Sequence, residues 1–255
     1  MPGGVTVGAP YAETGLACLR RVADAGQVAH LRMVADEVAE GGRRMVATNG
    51  EALPATYLWL THAACEAALF DLALARLAAG LMGSRTARLF YDEIIAKPPG
   101  ASRPTRWHQD ASHWCVAGEQ VCTLWLALDD VGAEDGAVRY IPGSQASGRI
   151  FRPWDGAAGD VPPPEAAFER MDSVSFDLRA GDAVVHQARV IHGSFANTAG
   201  RHTRRAYVTR WLGDDAVYHW RGFDMPVPVA VAFEEGQPFD HGLFPLLYEQ
   251  APAFS

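Results

Sequence analysis

Residues 182–212 read DAVVHQARVIHGSFANTAGRHTRRAYVTRWL, two largely apolar runs (182–195 and 204–212) separated by small and polar residues. Each run is rich in β-branched or aromatic side chains and is bounded by Gly, Asp or Asn, which marks short strands. Upstream, DSVSFDL (172–178), QVCTLWLALDDV (120–131) and ARLFYDEIIAKPPG (87–100) have the same texture. The first 90 or so residues read differently. GQVAHLRMVADEVAEGG (26–42) sets Val28, Leu31, Val34, Ala35 and Val38 at helical spacing and stops at Gly41-Gly42. A second helix is predicted from about Leu58 to Leu81, ending at Gly83. Helices first and many short strands afterwards predict an α+β, mainly β fold: a sandwich or barrel with N-terminal helices packed against it. One domain spanning 1–255 is expected, with a helical buttress over about 1–88, a strand-rich core over about 89–215 and a C-terminal extension over 216–255. GAAGDVPPP (156–164) reads as a loop insertion or lid.

With 22 basic and 30 acidic residues among 255, the formal charge is −8. That balance argues against nucleic acid and anionic membrane as partners, since both need a basic field. No run of about 18 apolar residues is present. The four cysteines, at 18, 65, 115 and 122, contain no CxxC pair, so neither a disulfide framework nor a zinc ribbon is expected. MPGGVTVGAPYAETG at the start has no basic or apolar leader region, and a cytoplasmic location is expected.

RWHQDASHW (106–114) holds His108 and Asp110, one residue apart. In extended chain these point to the same side. An HxD pair recurs by chance, and a surface histidine beside a solvated aspartate is the plainer alternative. A second imidazole, His192, closes the apolar run at 188–191 and is followed by Gly193 and Ser194. Two imidazoles and one carboxylate from strands 84 residues apart would leave open positions on a metal, as non-haem Fe(II) oxygenases require. Competing histidines have blander explanations: His113 as pocket wall or surface, His186 as a hydrogen-bonded core residue, His202 as a solvated loop residue. Arg204-Arg205 then open a strand. A 2-oxoglutarate co-substrate needs a fixed cation for its far carboxylate, and the guanidinium fork matches a carboxylate best. Surface charge is the alternative for at least one of the pair.

From about Leu89 to Leu212 the chain resembles the phytanoyl-CoA dioxygenase family of Fe(II)/2-oxoglutarate oxygenases. The resemblance rests on WHQD (107–110), TLWLALDDV (123–131), EDGAVRYIPGSQ (134–145), AGDAVVHQ (180–187), IHGS (191–194) and Arg-x-Ala (204–206), in that order. YAETGLACLRR (11–21) is similar to the family's opening strand. The resemblance implies a double-stranded β-helix, that is, a jelly-roll or cupin-like core. It implies Fe(II) held by His108, Asp110 and His192, with 2-oxoglutarate and O2 as co-substrates. Arg204 falls on the family's carboxylate-binding arginine, with Arg205 kept as the alternative because the preceding loop is one residue longer than expected. Ser194 and Trp125 fall on positions that contact the co-substrate. Asp110 stands where related halogenases have a small residue, which implies oxidation of a small-molecule substrate rather than chlorination.

Thr105 is a candidate donor to 2-oxoglutarate or an ordinary strand residue, and Lys97 is read as structural. Gly136 and Pro142-Gly143 are read as turns. Trp114, His113 and Arg106 are candidate substrate-wall residues, with Trp154, Trp220 and Phe223 behind them. Desaturation, cyclisation or epimerisation would use the same ligands. A non-oxidative metal-dependent cupin-like isomerase or hydrolase would have no use for Arg204, and a non-catalytic binding protein would have no need of intact ligands. The oligomeric state is not legible.

Overall fold

The computed structural model describes residues 3–5, 10–41, 55–71, 73–100, 103–152, 159–223, 225, 227–229 and 231–251. Gly42, Trp154 and residues 156–158 of the expected loop insertion lie outside them. In chain order the strands are β1 (Gly3–Val5), β2 (Leu16–Arg20), β3 (Thr86–Lys97), β4 (Thr105–His108), β5 (Val116–Ala117), β6 (Val121–Ala127) and β7 (Val138–Tyr140). They continue with β8 (Val174–Ser175), β9 (Ala183–Gln187), β10 (His192–Ser194), β11 (Arg204–Leu212), β12 (Val217–Tyr218) and β13 (Leu246–Glu249). The helices are α1 (Tyr11–Thr14), α2 (Ala25–Ala39), α3 (Ala63–Asp71), α4 (Leu74–Met82) and α5 (Glu165–Phe168).

Seven strands form an antiparallel sheet in the order β1-β2-β9-β6-β11-β3-β13, and four form a smaller one, β4-β10-β7-β8. The central strands β2, β9, β6 and β11 are buried on both faces, so they read as near-continuous apolar runs. Alternation still sorts them. Cys122, Leu124, Leu126, Ala183, Val185, Tyr207 and Trp211 join the core shared with the helices. Trp125, Ala127, Val184, Ala206 and Val208 join a second core on the other side, with Tyr140 of the small sheet.

The helix α2 buries Val28, Leu31, Val34, Ala35 and Val38, the five positions its spacing marks. Its start is fixed by a capping box between Asp24 and Gln27. The single helix expected over about 58–81 is instead three pieces: a 3₁₀ turn at Leu58–Leu60, then α3, then α4. Ala73 has φ +52°, a left-handed residue that ends one helical direction before the next begins. The reason lies in packing: the expected span carries apolar side chains on most faces and no one straight helix can bury them all. Gly83 at φ +65° closes α4, where the helix was expected to end.

Strands also enter the large sheet from outside residues 89–215. β2 pairs with β9, and β13 pairs with β3 at the edge. Among the described residues, no helix is long and apolar enough to cross a membrane.

Candidate metal centre and its cavity

His108 ends β4 and His192 begins β10, and the two are direct partners in the small sheet. Thr105 pairs with Ser194 in the same ladder, so three residues of β4 are matched by two of β10. That extra residue is a bulge, and it reverses the side-chain parity. Thr105 and His108 therefore both face the cavity, while Arg106 is displaced outward. Gly193 makes the close approach possible, since a Cβ there would lie 2.7 Å from the Thr105 carbonyl oxygen.

Beyond His108 the chain stays extended through Gln109 and enters a 3₁₀ turn at Asp110. Gln109 is anchored away from the site, donating to the carbonyls of Arg149 and Arg189 and accepting from the Phe151 N–H. Asp110 is thereby delivered to the same side as His108. One nitrogen or oxygen from each of His108, Asp110 and His192 lies within 4.8 Å of the others. The Nε2 atoms of His108 and His192 are 3.8 and 3.6 Å from Asp110 Oδ1.

The surroundings prepare these groups as ligands. The Nδ1 of His108 lies 2.9 Å from the Arg106 carbonyl, and that of His192 lies 2.9 Å from the Val190 carbonyl. With Nδ1–H donating to a carbonyl, the Nε2 lone pair is turned to the cavity. Thr123 donates to Asp110 Oδ2 at 2.6 Å. Burial pushes His108 down to about 3 and His192 down to about 4, with neighbouring imidazoles adding to both. Burial opposes ionisation of Asp110, but His192, His186 and Arg210 outweigh it and hold the carboxyl below its usual range. Neutral imidazoles beside an ionised carboxylate are the protonation states that bind a divalent metal.

The cavity, about 230 Å³, is lined by these three residues with Thr105, Ser194, Trp125, Tyr140, Arg204, Ile95, Glu93, Arg210 and others. Arg204 is 2% exposed, and its Nη2 donates to the Gly136 carbonyl at 3.0 Å. Its Nε and Nη1 have no partner among the described residues, and the guanidinium lies over Trp125, 5.2 Å from the ring centre. Burial lowers it to about 10. Arg205, one residue on, faces the helices and is held by Asp129 and Asp36.

Lys97, read as structural from sequence, is paired in register with Arg204. Its Nζ lies within hydrogen-bond distance of Ser194 Oγ (2.6 Å), the Phe195 and Arg103 carbonyls and Thr105 Oγ1, so its three N–H groups are taken up. Burial, then the charge of Arg204, lowers Lys97 to about 8. Strand alternation along β3 was the signal available, since Glu93, Ile95 and Lys97 share one face. Gly136, read as a turn, is also part of this end. It has φ +85°, its carbonyl holds Arg204, and a Cβ would come within 2.9 Å of Lys97 Cδ.

The other candidates are spread around the cavity. His186 is a buried, hydrogen-bonded core histidine, as expected, and it has a further place. It lines the same cavity, with Nε2 3.7 Å from Asp110 Oδ2 and its ring 4.4 Å from that of His192. Trp114 does not line the metal cavity, because the 3₁₀ turn swings it away. It packs on Phe90 and Tyr91 and donates to the Tyr91 hydroxyl at 2.9 Å. Arg106 turns outward at the bulge, 3.4 Å from Glu165, and lines a neighbouring cleft that shares His108 with the metal cavity. His113 is half-buried, its ring 5.9 Å from that of His108, outside the cavity lining. Of the weaker candidates, Trp220 is exposed and Phe223 lies near the surface, neither lining the cavity.

The fold and site together define a jelly-roll protein with a two-histidine, one-carboxylate facial set, the arrangement of non-haem iron oxygenases. The chain belongs to the phytanoyl-CoA dioxygenase (PhyH) family, whose profile it matches over residues 11–206. That match starts well before Leu89 and takes in β2. A phytanoyl-CoA dioxygenase from Arabidopsis thaliana is 34% identical over 133 residues, 51% of this chain and 46% of that protein. The chain thus spans under half the length of that relative. The non-haem α-ketoglutarate-dependent epimerase SnoN of nogalamycin biosynthesis, solved with Fe3+, α-ketoglutarate and nogalamycin RO, superposes with a TM-score of 0.74 at 27% identity. The match covers 93% of this chain and 95% of that one. The carbocyclase SnoK of the same biosynthesis superposes at 0.73, with 26% identity and 93% coverage of both chains.

Proposed function

We propose that this chain is an Fe(II)/2-oxoglutarate-dependent oxygenase that hydroxylates an unactivated carbon of a small metabolite or natural-product intermediate, releasing succinate and CO2. The observation that carries this reading is the Arg204 end of the cavity. Two buried cations, Arg204 and Lys97, stand there without a carboxylate partner among the described residues, and Arg204 keeps unpartnered N–H groups. A dicarboxylate whose near end reaches the metal ligands fits that end. A non-oxidative metal enzyme would leave both cations buried to no purpose.

His108, Asp110 and His192 would hold the iron. Arg204 would hold the far carboxylate, with the charge of Lys97 and the hydroxyls of Ser194 and Thr105 beside it, and Trp125 would form the wall. Bound there, iron supplies O2 activation coupled to decarboxylation of the 2-oxo acid. The protein's own part is orientation and exclusion of water. The backbone carbonyls of Arg106 and Val190 fix the imidazole tautomers, and Thr123 fixes the carboxylate. Ile95, Val138 and Val208 supply apolar lining that disfavours water there. Succinate formation dependent on Fe(II), O2 and 2-oxoglutarate tests the reading, and its absence in protein shown to bind iron rejects it.

A second outcome at carbon is favoured by the likeness to SnoN and SnoK, described as an epimerase and a carbocyclase. The two are separated by running the reaction in 18O2: hydroxylation leaves 18O in the product, whereas epimerisation or ring closure leaves none.

A further inference from the structure

Past the metal ligands, at the end of the cavity away from Arg204, the inner faces of β3 and β11 present Glu93 and Arg210. Arg210 is paired in register with Thr123, the residue that holds Asp110, so this end begins where the metal site stops. Arg210 is 6% exposed, and its Nη2 donates to Glu93 Oε1. Its Nε and Nη1 have no partner among the described residues. The guanidinium lies 4.5 Å from the Tyr91 ring centre and 5.7 Å from that of Trp114, and the Trp114–Tyr91 hydrogen bond fixes that aromatic shelf. The Glu93 side chain is 16% exposed, and Arg210 is its one hydrogen-bond partner among the described residues.

Three unused N–H groups on a buried guanidinium are unfavourable unless something accepts from them. At the co-substrate end the same feature suits an anion. Here it does not, because Glu93 already balances the charge, and Asp110 and Glu93 both face what would enter. A cation would meet Arg210. What fits is a neutral group offering an oxygen acceptor to Arg210 and a hydroxyl donor to the second oxygen of Glu93.

Resting on the oxygenase reading above, we propose that Glu93 and Arg210 form a recognition pair for a neutral, multiply oxygenated substrate. Arg210 donates to a carbonyl or ether oxygen, and Glu93 accepts from an adjacent hydroxyl. The substrate class is therefore an uncharged hydroxylated skeleton, and an acyl carboxylate is refused.

The test uses the whole chain loaded with Zn(II) and 2-oxoglutarate, with co-substrate binding measured separately by calorimetry. Three ring probes are titrated by saturation-transfer NMR: 2-hydroxycyclohexanone, cyclohexanone and cyclohexanecarboxylate. The hydroxyketone should bind about tenfold tighter than the ketone, as a charge-assisted hydrogen bond allows, with the carboxylate weakest. Glu93→Gln should erase most of that preference and raise carboxylate affinity about tenfold, since Arg210 is then uncompensated. Arg210→Met should lose the ketone as well. Should that variant fail to fold by circular dichroism, Glu93→Gln decides alone. Equal binding of all three probes by wild type, or no change of preference in Glu93→Gln, would mean that the pair is only structural and would overturn the proposal. Failure of 2-oxoglutarate to bind wild type would reject the oxygenase reading first, and this inference with it.

Discussion

Arg204 and Arg210 lie six residues apart on the same face of β11, both buried in one cavity, with the metal ligands between them. Arg204 has a lysine beside it and no acidic partner among the described residues, while Arg210 is paired with Glu93 on an aromatic shelf. The side chain is the same, and its company decides its ligand. An uncompensated pair of cations waits for an anion, whereas a compensated cation can only offer directed N–H groups. Strand alternation placed both arginines indoors, and their neighbours on β3 gave them different work.

The largest effect should come from the centre that both ends serve. His192→Ala should abolish Fe(II) binding, measured by metal analysis, and succinate release together. His186→Ala should keep iron bound, because its Nε2 faces Asp110 Oδ2 rather than the atom shared by His108 and His192. Iron lost equally from both variants would mean that the ligand set is misread.

Next is the co-substrate end. Arg204→Lys keeps the charge and loses the fork, and the KM for 2-oxoglutarate should rise about tenfold or more. Arg205→Lys should move KM little, since Arg205 is engaged with Asp129 and Asp36 on the helix side. The opposite result would place the wrong arginine in the cavity.

A smaller effect is expected at Gly136. An alanine there must adopt φ +85° and press on Lys97, which should destabilise by roughly 1–2 kcal/mol in denaturant unfolding. It should also weaken 2-oxoglutarate binding several-fold while leaving the Glu93–Arg210 end untouched. Equal damage at both ends would dissolve the distinction between them.

The smallest effect on turnover comes from Asp92, next to Glu93 but on the helix side of β3. Burial raises its carboxyl to about 7 against the hydrogen bonds from Tyr207 and the Trp59 N–H. Unfolded, it would titrate near 3.9. Between about pH 4 and 7 the folded chain therefore holds a proton that the unfolded chain has released, so this group's contribution falls as pH rises through that window. Urea unfolding across the window should show that slope in wild type and a flatter profile in Asp92→Asn.

The fold class was legible because helical periodicity before residue 88 gives way to short apolar runs after it. The metal set was legible because His108, Asp110 and His192 stand in motifs. What escaped was parity. The bulge in β4, which turns Thr105 inward and Arg106 outward, has no signature in RPTRWH (103–108). Lys97 reads as structural, and Arg210 stands in no motif; pairing of their strands is what places Lys97 beside Arg204 and Arg210 in the cavity. Trp114 sits off the metal cavity because the chain enters a 3₁₀ turn at Asp110, which nothing in DASHW announces. The break at Ala73 was hidden because an alanine in left-handed conformation leaves no trace in composition.

The register of β11 also bears on how the chain reaches its native state. Slipped by one residue, that strand would send Arg205, Tyr207, Thr209 and Trp211 toward the metal ligands and turn Arg204 and Arg210 into the helix layer. Such a misfolded isomer would have nowhere to seat a dicarboxylate. 2-Oxoglutarate held at Arg204 would therefore favour the correctly registered chain and draw the folding equilibrium toward it by mass action. In a cell short of the co-substrate, the protein would lose abundance as well as turnover.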